Sequence, residues 1–173
     1  AEGVALITEW IDAMEPMIAA SVKARCGYDD AKFDAFSAGI KASLFEWHEF
    51  LSICRQIVAR GLDVILLAHA ALRPEESASL GAEVMRYMLK LQGMKNADIG
   101  ALIKEKSDIV LFATIHEFKA QAKSWDKIRA RVSDRRVIKT CRGTSWHAKT
   151  RTPLPPELSL DWNEFDAARR SSD

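Results

Sequence analysis

The sequence predicts an α/β fold in which a mostly parallel sheet is flanked by helices and followed by a short antiparallel C-terminal hairpin. Short apolar runs with strand character alternate along the chain with longer segments whose apolar residues recur at helical spacing. The run at residues 63–68 is apolar on both faces, which is typical of a central parallel strand covered on both sides. The 173 residues suffice for one domain with an ordinary core.

The first predicted elements are a strand and a helix. Residues 4–8 form a short apolar run that is typical of a buried strand. Asp12 and Glu15 have the spacing of a capping box, and Pro16 is tolerable in a first turn. A helix is therefore expected to follow the strand and to end near Arg25.

A second helix and the strand at the centre of the sheet come next. Apolar positions recur at helical spacing over residues 40–58, and Gly61 has the character of a helix stop. The apolar strand at residues 63–68 follows and leads directly into His69. This helix and strand would form the middle of the layered domain.

The next segment is expected to return the chain to the sheet through a helix. Residues 71–82 are polar and contain Pro74, which predicts a loop. Residues 82–106 then predict a helix, with a break at Gly93 or Gly100. Residues 109–114 form another apolar run, which predicts a second buried strand.

The C-terminal part contains weaker signals. Residues 117–134 fit either a basic helix or a flexible hairpin. Residues 136–140 and 145–150 predict two short antiparallel strands about a turn at Gly143. Asp161 is expected to cap a short final helix.

The charge of the chain is distributed unevenly. The formal net charge is +1, yet residues 119–151 contain eleven lysines and arginines and only two acids. A field of this kind suits phosphates, and it equally fits a solvated basic face. We expect residues 1–173 to form a single domain, with this basic segment and a C-terminal cap at residues 153–173.

The cysteine content bears on the compartment. Cys26, Cys54 and Cys141 are odd in number and have no paired spacing, which is typical of reduced thiols in a cytoplasmic protein. The apolar runs are too short to span a bilayer, and no secretory signal opens the chain. The expected location is therefore the cytoplasm.

Five stretches, taken together in their order and spacing, resemble a known family. They are residues 11–16, 61–69, 86–91, 108–113, and 148–151 followed by 154–162. Together they resemble the phage-encoded, RecA-like P-loop nucleotide-binding proteins, a group that includes ATP-dependent single-strand annealing recombinases. The similarity runs along most of the chain.

The resemblance implies a RecA-like core that binds ATP and magnesium and acts on DNA as a multimer. Thr8 and Glu9 stand nearest to the family's magnesium-binding aspartate, and the carboxylate of Glu9 makes it the expected metal ligand and a catalytic residue. His69 would sense phosphate, and Lys149 and Arg151 would reach the phosphate of a neighbouring subunit. No G-x-x-x-x-G-K-[ST] sequence occurs, so the resemblance implies that residues 1–173 form a single incomplete RecA-like domain, the C-terminal portion that lacks the phosphate-binding loop.

The positions of these residues suit the implied roles. Lys149 and Arg151 lie two apart, so they would point to the same side of a strand. Two cations there would stabilise charge in phosphoryl transfer, or would form an ordinary basic pair on an edge strand. His69 ends a buried strand, where open α/β sheets bind ligands, or is satisfied by local backbone.

The resemblance also implies DNA contacts by the lysine and arginine side chains near the segment that follows His69. The basic segment offers a second group, in which Trp125 either stacks on a base or anchors a helix. Isolated surface charges are the alternative for both groups. The candidate nucleic-acid-binding residues are Arg73, Arg86, Lys90, Lys123, Lys127, Arg129, Arg131, Arg135 and Arg136.

Two functional hypotheses follow. The first is a phage RecA-like, ATP- and single-stranded-DNA-binding recombination protein that is incomplete or degenerate in its nucleotide site and partnered by a neighbouring subunit. It would be an ATPase only if a phosphate-binding loop came from outside this sequence, through a longer chain or another subunit. The second is a non-catalytic phage-encoded module or inhibitor that engages nucleic acid or a host protein complex.

Overall fold

The computed structural model describes residues 6–77, 81–94, 97–119 and 130–171, with side chains for all of these except 6–9, 117–119 and 130–133. The elements, in chain order, are β1 (Leu6–Trp10), α1 (Ile11–Cys26), α2 (Asp30–Asp34), a 3-10 turn (Ala35–Ser37), α3 (Ala38–Val58), β2 (Asp63–Leu67), β3 (Ala70–Ser77), β4 (Ala82–Leu89), β5 (Gly93–Met94), β6 (Ala97–Asp98), α4 (Ile99–Lys106), β7 (Ile109–Val110), β8 (Phe112–Lys119), β9 (Ala130–Lys139), β10 (Lys149–Thr150), β11 (Glu157–Ser159) and α5 (Trp162–Arg170).

The chain divides into two compact units. Unit 1 comprises Ala1–Leu72 and Met88–Lys106, and unit 2 comprises Arg73–Tyr87 and Ser107–Asp173. Unit 1 contains the long helices, whereas unit 2 contains the longest strands.

The prediction of a mostly parallel, RecA-like sheet is wrong. Apart from an isolated parallel bridge between Tyr87 and Trp146, the parallel pairing in the described part of the chain is that of β1 and β2, from Leu6 opposite Asp63 to Trp10 opposite Leu67. The largest sheet has three strands in the order β11-β9-β8 and is antiparallel throughout. A truncated P-loop core needs several adjacent parallel strands, and the described residues do not supply them.

The error arises in the segment that was expected to cross over from β2. Residues 71–82 and 82–106 were predicted as a loop and a helix, but they contain β3 and β4, which pair with each other. Only four residues connect these strands, too few for the dozen or more that a parallel crossover needs. Without a helical crossover after β2, the chain cannot add a further parallel strand to the β1–β2 pair.

The two long helices and the strand at residues 63–67 are confirmed, but the strand is not central, because β2 forms a two-stranded sheet with β1. The capping interpretation of Asp12 and Glu15 is also wrong. Helix α1 begins directly after Trp10, and no side chain caps it. Asp12 instead accepts a hydrogen bond from the backbone of His69, and Glu15 accepts one from the backbone of Gln92. Gly61 adopts φ 83°, a left-handed conformation that favours glycine and ends the segment after α3.

Unit 1 is held together by the apolar faces of its helices. Ile18 and Val22 of α1 lie four residues apart and are buried, as are Trp47 and Leu51 of α3. This spacing places each pair on one helical face, and α1 and α3 contact each other. The core cluster is completed by Ile11, Phe33, Leu91, Ile99 and Ile103.

Unit 2 is built on the antiparallel sheet. Strand β9 lies between β8 and β11 and contributes the buried Val137 and Ile138. The predicted final helix is confirmed as α5, and Asp161 caps it by accepting a hydrogen bond from the backbone of Glu164 at 2.9 Å. Phe165 of this helix is buried.

The hairpin predicted about Gly143 is wrong. Residues 136–139 do belong to a strand, β9, but β9 pairs with β8 and β11. Strand β10 pairs antiparallel with β7, so that Lys149 lies opposite Val110. For residues 117–134, the paired ends of β8 and β9 agree with the hairpin alternative, while residues 120–129, including Trp125, lie outside the described residues.

The cysteines and the helices also bear on the sequence-based expectations. Cys26, Cys54 and Cys141 are all free thiols, and burial raises the pKa of the Cys54 thiol. None of the helices in the described ranges combines the length and the apolar character needed to cross a membrane.

Candidate nucleic-acid interface

His69, the expected phosphate sensor, is held by an aspartate. Its Nδ1 lies 2.6 Å from Asp12 Oδ2, and its backbone N–H donates to Asp12 Oδ1 at 3.3 Å. The imidazole also stacks on Trp10, with ring centroids 4.8 Å apart. The hydrogen bond from His69 holds the pKa of the Asp12 carboxyl below its usual value.

The Asp12–His69 pair predicts a pH-dependent contribution to stability. Because the pKa of Asp12 is lowered by folding, its carboxylate stabilises the protein above the ordinary value of 3.8, and the stabilisation is lost as pH falls through the lower folded value. Asp12→Asn is therefore expected to reduce the free energy of unfolding at neutral pH and to match the wild type in strong acid. Urea unfolding across the acidic range measures this.

Asp34→Asn is the matched control for Asp12→Asn, because Asp34 is exposed and does not cap the 3-10 turn that follows it. Its effect on unfolding should be small at every pH. A constant difference between Asp12→Asn and wild type over the whole range would contradict the assigned role of the carboxylate.

Glu9, the expected metal ligand, lies on β1 opposite Leu66 of β2, and its side chain is outside the description. Among the described residues, no group of three or more histidine, cysteine, aspartate or glutamate side chains is placed to hold a metal ion. Magnesium at Glu9, and ATP with it, stay predictions.

Lys149 and Arg151 occupy the end of a very short strand. Lys149 is half-buried on β10, and Arg151 follows that strand. The Nε of Arg151 lies 3.1 Å from Asp108 Oδ1 in an exposed ion pair, which contributes little to stability. The role of the pair towards a neighbouring subunit stays a prediction.

The expected nucleic-acid contacts are spread over several elements. Arg73 is half-buried on β3, Arg86 is buried on β4, and Lys90 is exposed after β4. Arg135 and Arg136 are exposed on β9. Arg131 belongs to β9 but its side chain is not described, and the residues that lie outside the described ranges are Lys123, Lys127 and Arg129.

Unit 2 contains a stack of three aromatic rings that the sequence analysis did not identify. Tyr87 stacks on Phe112 with centroids 5.3 Å apart, and Phe112 stacks on Trp146 at 6.0 Å with an interplanar angle of 5°. Tyr87 is 41% exposed at one end. At the other, the Nζ of Lys139 lies 5.5 Å from the Trp146 ring centre. We call Tyr87, Phe112 and Trp146 the aromatic stack.

Residues 141–146, the Trp146 loop, hold the indole in place. Trp146 Nε1 donates to the Cys141 carbonyl at 3.1 Å, and the backbone N–H of Gly143 donates to the Trp146 carbonyl at 3.2 Å. The N–H of Tyr87 donates to the Ser145 carbonyl at 2.8 Å, which ties the loop to β4. A Cβ at residue 143 would lie 2.4 Å from the indole, so the close approach requires glycine.

The sheet register places basic side chains beside the stack. Lys139 of β9 lies opposite Phe112 of β8 on one side and Glu157 of β11 on the other. Lys139 forms an ion pair with Glu157, while His116 Nε2 and Arg135 Nη2 each lie 4.0 Å from the same carboxylate. The hydrogen bond from Lys139 lowers the pKa of Glu157, so this carboxylate stays ionised.

A second glutamate in unit 2 is also surrounded by bases. The Glu75 carboxylate lies 3.1 Å from Arg86 Nε, 3.5 Å from Arg142 Nη2 and 3.0 Å from His147 Nε2. We call these four residues the Glu75 cluster. Successive residues of a strand point to opposite faces, so Arg86 and Tyr87 place the Glu75 cluster and the aromatic stack on opposite faces of β4.

Some of this interface was detectable in the sequence. Arg86 was identified as a candidate, and Arg142 lies in the basic segment. The stack was missed because β4 was taken for a helix, although its burial alternates with a period of two: Val84 and Arg86 are turned inward, Met85 and Tyr87 outward. That alternation is the signal that separates strand from helix here.

No family model, curated protein or solved structure matches this chain. The RecA-like resemblance therefore stays a sequence-based expectation. The function of the interface rests on its own geometry and charge.

Proposed function

We propose that unit 2 is a non-catalytic module that binds single-stranded DNA through the aromatic stack and the basic side chains beside it. The observation that carries the proposal is an exposed tyrosine backed by two stacked rings, with Lys139 over Trp146 at the other end of the stack. Every base has a π face, so stacking on such a platform tolerates any sequence.

The charges near the stack suit a phosphate backbone. Arg135, Arg136 and Arg142 are exposed and belong to the segment in which eleven bases face two acids. Beside the stack, Glu157 lies among Lys139, His116 and Arg135 and balances only part of their charge. The positive field around the stack would attract a nucleic acid and make its binding depend on salt.

The stack favours single strands over a duplex. In a duplex the base faces are covered by their neighbours, whereas unpaired bases can be placed against an exposed ring. Recombination driven by ATP is outside the proposal, because it depends on the parallel core that the described residues do not form. The unpaired cysteines are consistent with a cytoplasmic location for such a module.

Replacing the exposed ring tests the proposal. Tyr87→Ala in the full chain is expected to weaken binding to a fluorescent oligothymidylate roughly 5- to 100-fold, as expected for the loss of one stacking contact. Tyr87→Phe should retain most of the affinity, because the ring and not the hydroxyl supports the base. Fluorescence anisotropy at one fixed salt concentration gives both values.

Trp10→Ala provides the matched control for Tyr87→Ala. Trp10 is 46% exposed, comparable to Tyr87, but it belongs to unit 1 and stacks on His69. Its replacement should leave oligothymidylate binding unchanged. Equal affinities for Tyr87→Ala and Trp10→Ala would remove the aromatic stack from the proposed function.

A further inference from the structure

We propose that the Glu75 cluster is a phosphate-binding site whose place is held by the Glu75 carboxylate in this structure. The inference rests on the proposed function for one source of the phosphate, the backbone or end of a DNA strand. The site itself is defined by Arg86, Arg142 and His147 around the single carboxylate.

The first step is the charge of the cluster. Both guanidinium groups are always positive, and the imidazole adds a third charge when protonated. Glu75 brings one negative charge, so the cluster has an excess of at least one positive charge. A phosphate with up to two negative charges balances this excess better than a carboxylate does.

The second step is the unmet hydrogen bonding of Arg86. Its side chain is only 9% exposed. Its Nη1 is buried without a hydrogen-bond partner, and Nε, although 3.1 Å from Glu75, does not have the alignment of a hydrogen bond. Burying a guanidinium in this way is costly, and a buried polar group left unsatisfied calls for a ligand or another explanation.

The third step is the match between phosphate and these donors. A guanidinium presents its N–H groups in a planar fork that fits two oxygens of a phosphate. A phosphate group has more acceptor oxygens than the Glu75 carboxylate and can therefore accept from Arg86, Arg142 and His147 together. The chemical class of the ligand is a phosphate monoester or diester, or inorganic phosphate.

The fourth step is access. Arg142 is 59% exposed and Glu75 27% exposed, so the outer side of the cluster faces solvent. A phosphate would enter beside Arg142 and replace the Glu75 carboxylate next to the less exposed Arg86 and His147. Glu75 thus acts as an internal competitor, and its removal should uncover the site.

The test is the thermal stability of Glu75→Gln in the full chain as inorganic phosphate replaces chloride at constant ionic strength. Without phosphate this variant should melt below the wild type, because Arg86 is left buried without its counter-charge. Phosphate at about one hundred times its dissociation constant should raise its melting temperature by roughly 5–10 °C, more than that of the wild type.

Glu46→Gln is the matched control. Glu46 accepts two hydrogen bonds from the exposed Arg25 in unit 1, at 2.8 and 3.2 Å. Phosphate should not raise its melting temperature beyond the wild-type response. An equal response of Glu75→Gln and Glu46→Gln would overturn the phosphate site.

A second variant covers the case in which Glu75→Gln does not fold. Arg142→Gln changes an exposed side chain, so folding should persist. Phosphorus NMR of inorganic phosphate should show line broadening with the wild type, and at least a fivefold weaker effect with Arg142→Gln. Identical broadening by both proteins would overturn the inference.

Oligothymidylates separate the sources of the phosphate. If Glu75→Gln binds only 5′-phosphorylated strands more tightly than the wild type does, the source is a terminal phosphate. If it also binds 5′-hydroxyl strands more tightly, the source is the backbone. A response to inorganic phosphate alone indicates a free anion. Each of these supports the site. A flat phosphate response combined with loss of oligothymidylate binding in Tyr87→Ala overturns the site and leaves the proposed function standing. A clear phosphate response combined with unchanged oligothymidylate binding in Tyr87→Ala supports the site and overturns the proposed function.

Discussion

Trp47→Ala is expected to lower the free energy of unfolding by about 3–5 kcal/mol. Trp47 is 1% exposed, and among the fully buried side chains of the described residues it is the largest. It meets Phe50 edge-to-face at 6.1 Å and belongs to the core formed by α1, α3 and α4. Alanine would remove this apolar surface and leave a cavity that a close-packed core fills only in part.

Phe45→Ala is the control for Trp47→Ala on the same helix. Phe45 is 56% exposed, and the guanidinium Cζ of Arg25 lies 5.0 Å from its ring centre. Its replacement should cost less than about 1 kcal/mol. Guanidinium chloride unfolding followed by circular dichroism compares the two, and similar losses would contradict the assigned position of Trp47 in the core.

Gly143→Ala is expected to lower the free energy of unfolding by about 1–3 kcal/mol and to weaken oligothymidylate binding roughly fivefold or more. The new methyl group would lie 2.4 Å from the Trp146 indole, which donates to the Cys141 carbonyl, while the Gly143 N–H donates to the Trp146 carbonyl. The indole must therefore move, and it supports Phe112 in the aromatic stack. Chemical denaturation and anisotropy measure the two effects.

Two comparisons distinguish steric conflict from a general effect of changing the loop. Thr144→Ala alters the exposed neighbouring residue without adding an atom near the indole, and it should be nearly neutral. Trp146→Leu makes room at residue 143, so Gly143→Ala should cost less in that background than in the wild type. Strict additivity of the two changes would show that contact with the indole is not the cause.

Local patterns were sufficient for several elements. Helix α3 and strand β2 followed from apolar spacing, Gly61 ended the segment between them, and Asp161 capped α5 as expected. In each case the determinant lies within a few residues of the element: a periodic apolar face, a left-handed glycine or a side chain that accepts a terminal N–H. Such signals act without knowledge of the partner segment.

The segment after β2 shows where local patterns failed. Ala82 to Leu89 contains residues that favour helices, yet it forms β4, because β3 offers a partner and the alternate residues face opposite environments. This single change replaced the helical crossover with a hairpin and removed the basis for a parallel sheet. Helix propensity is a weak prior that pairing with another segment overrides.

The candidate interface depended on tertiary structure still more strongly. Sequence alone identified the basic segment and Arg86 as a possible phosphate contact, since charge is a property of composition. Strand pairing between distant parts of the chain brings Tyr87, Phe112 and Trp146 together. It also places Arg86, Arg142 and His147 around Glu75. Residue types set which chemistry is possible, but only long-range packing decides which side chains become neighbours and which charges are left incompletely balanced.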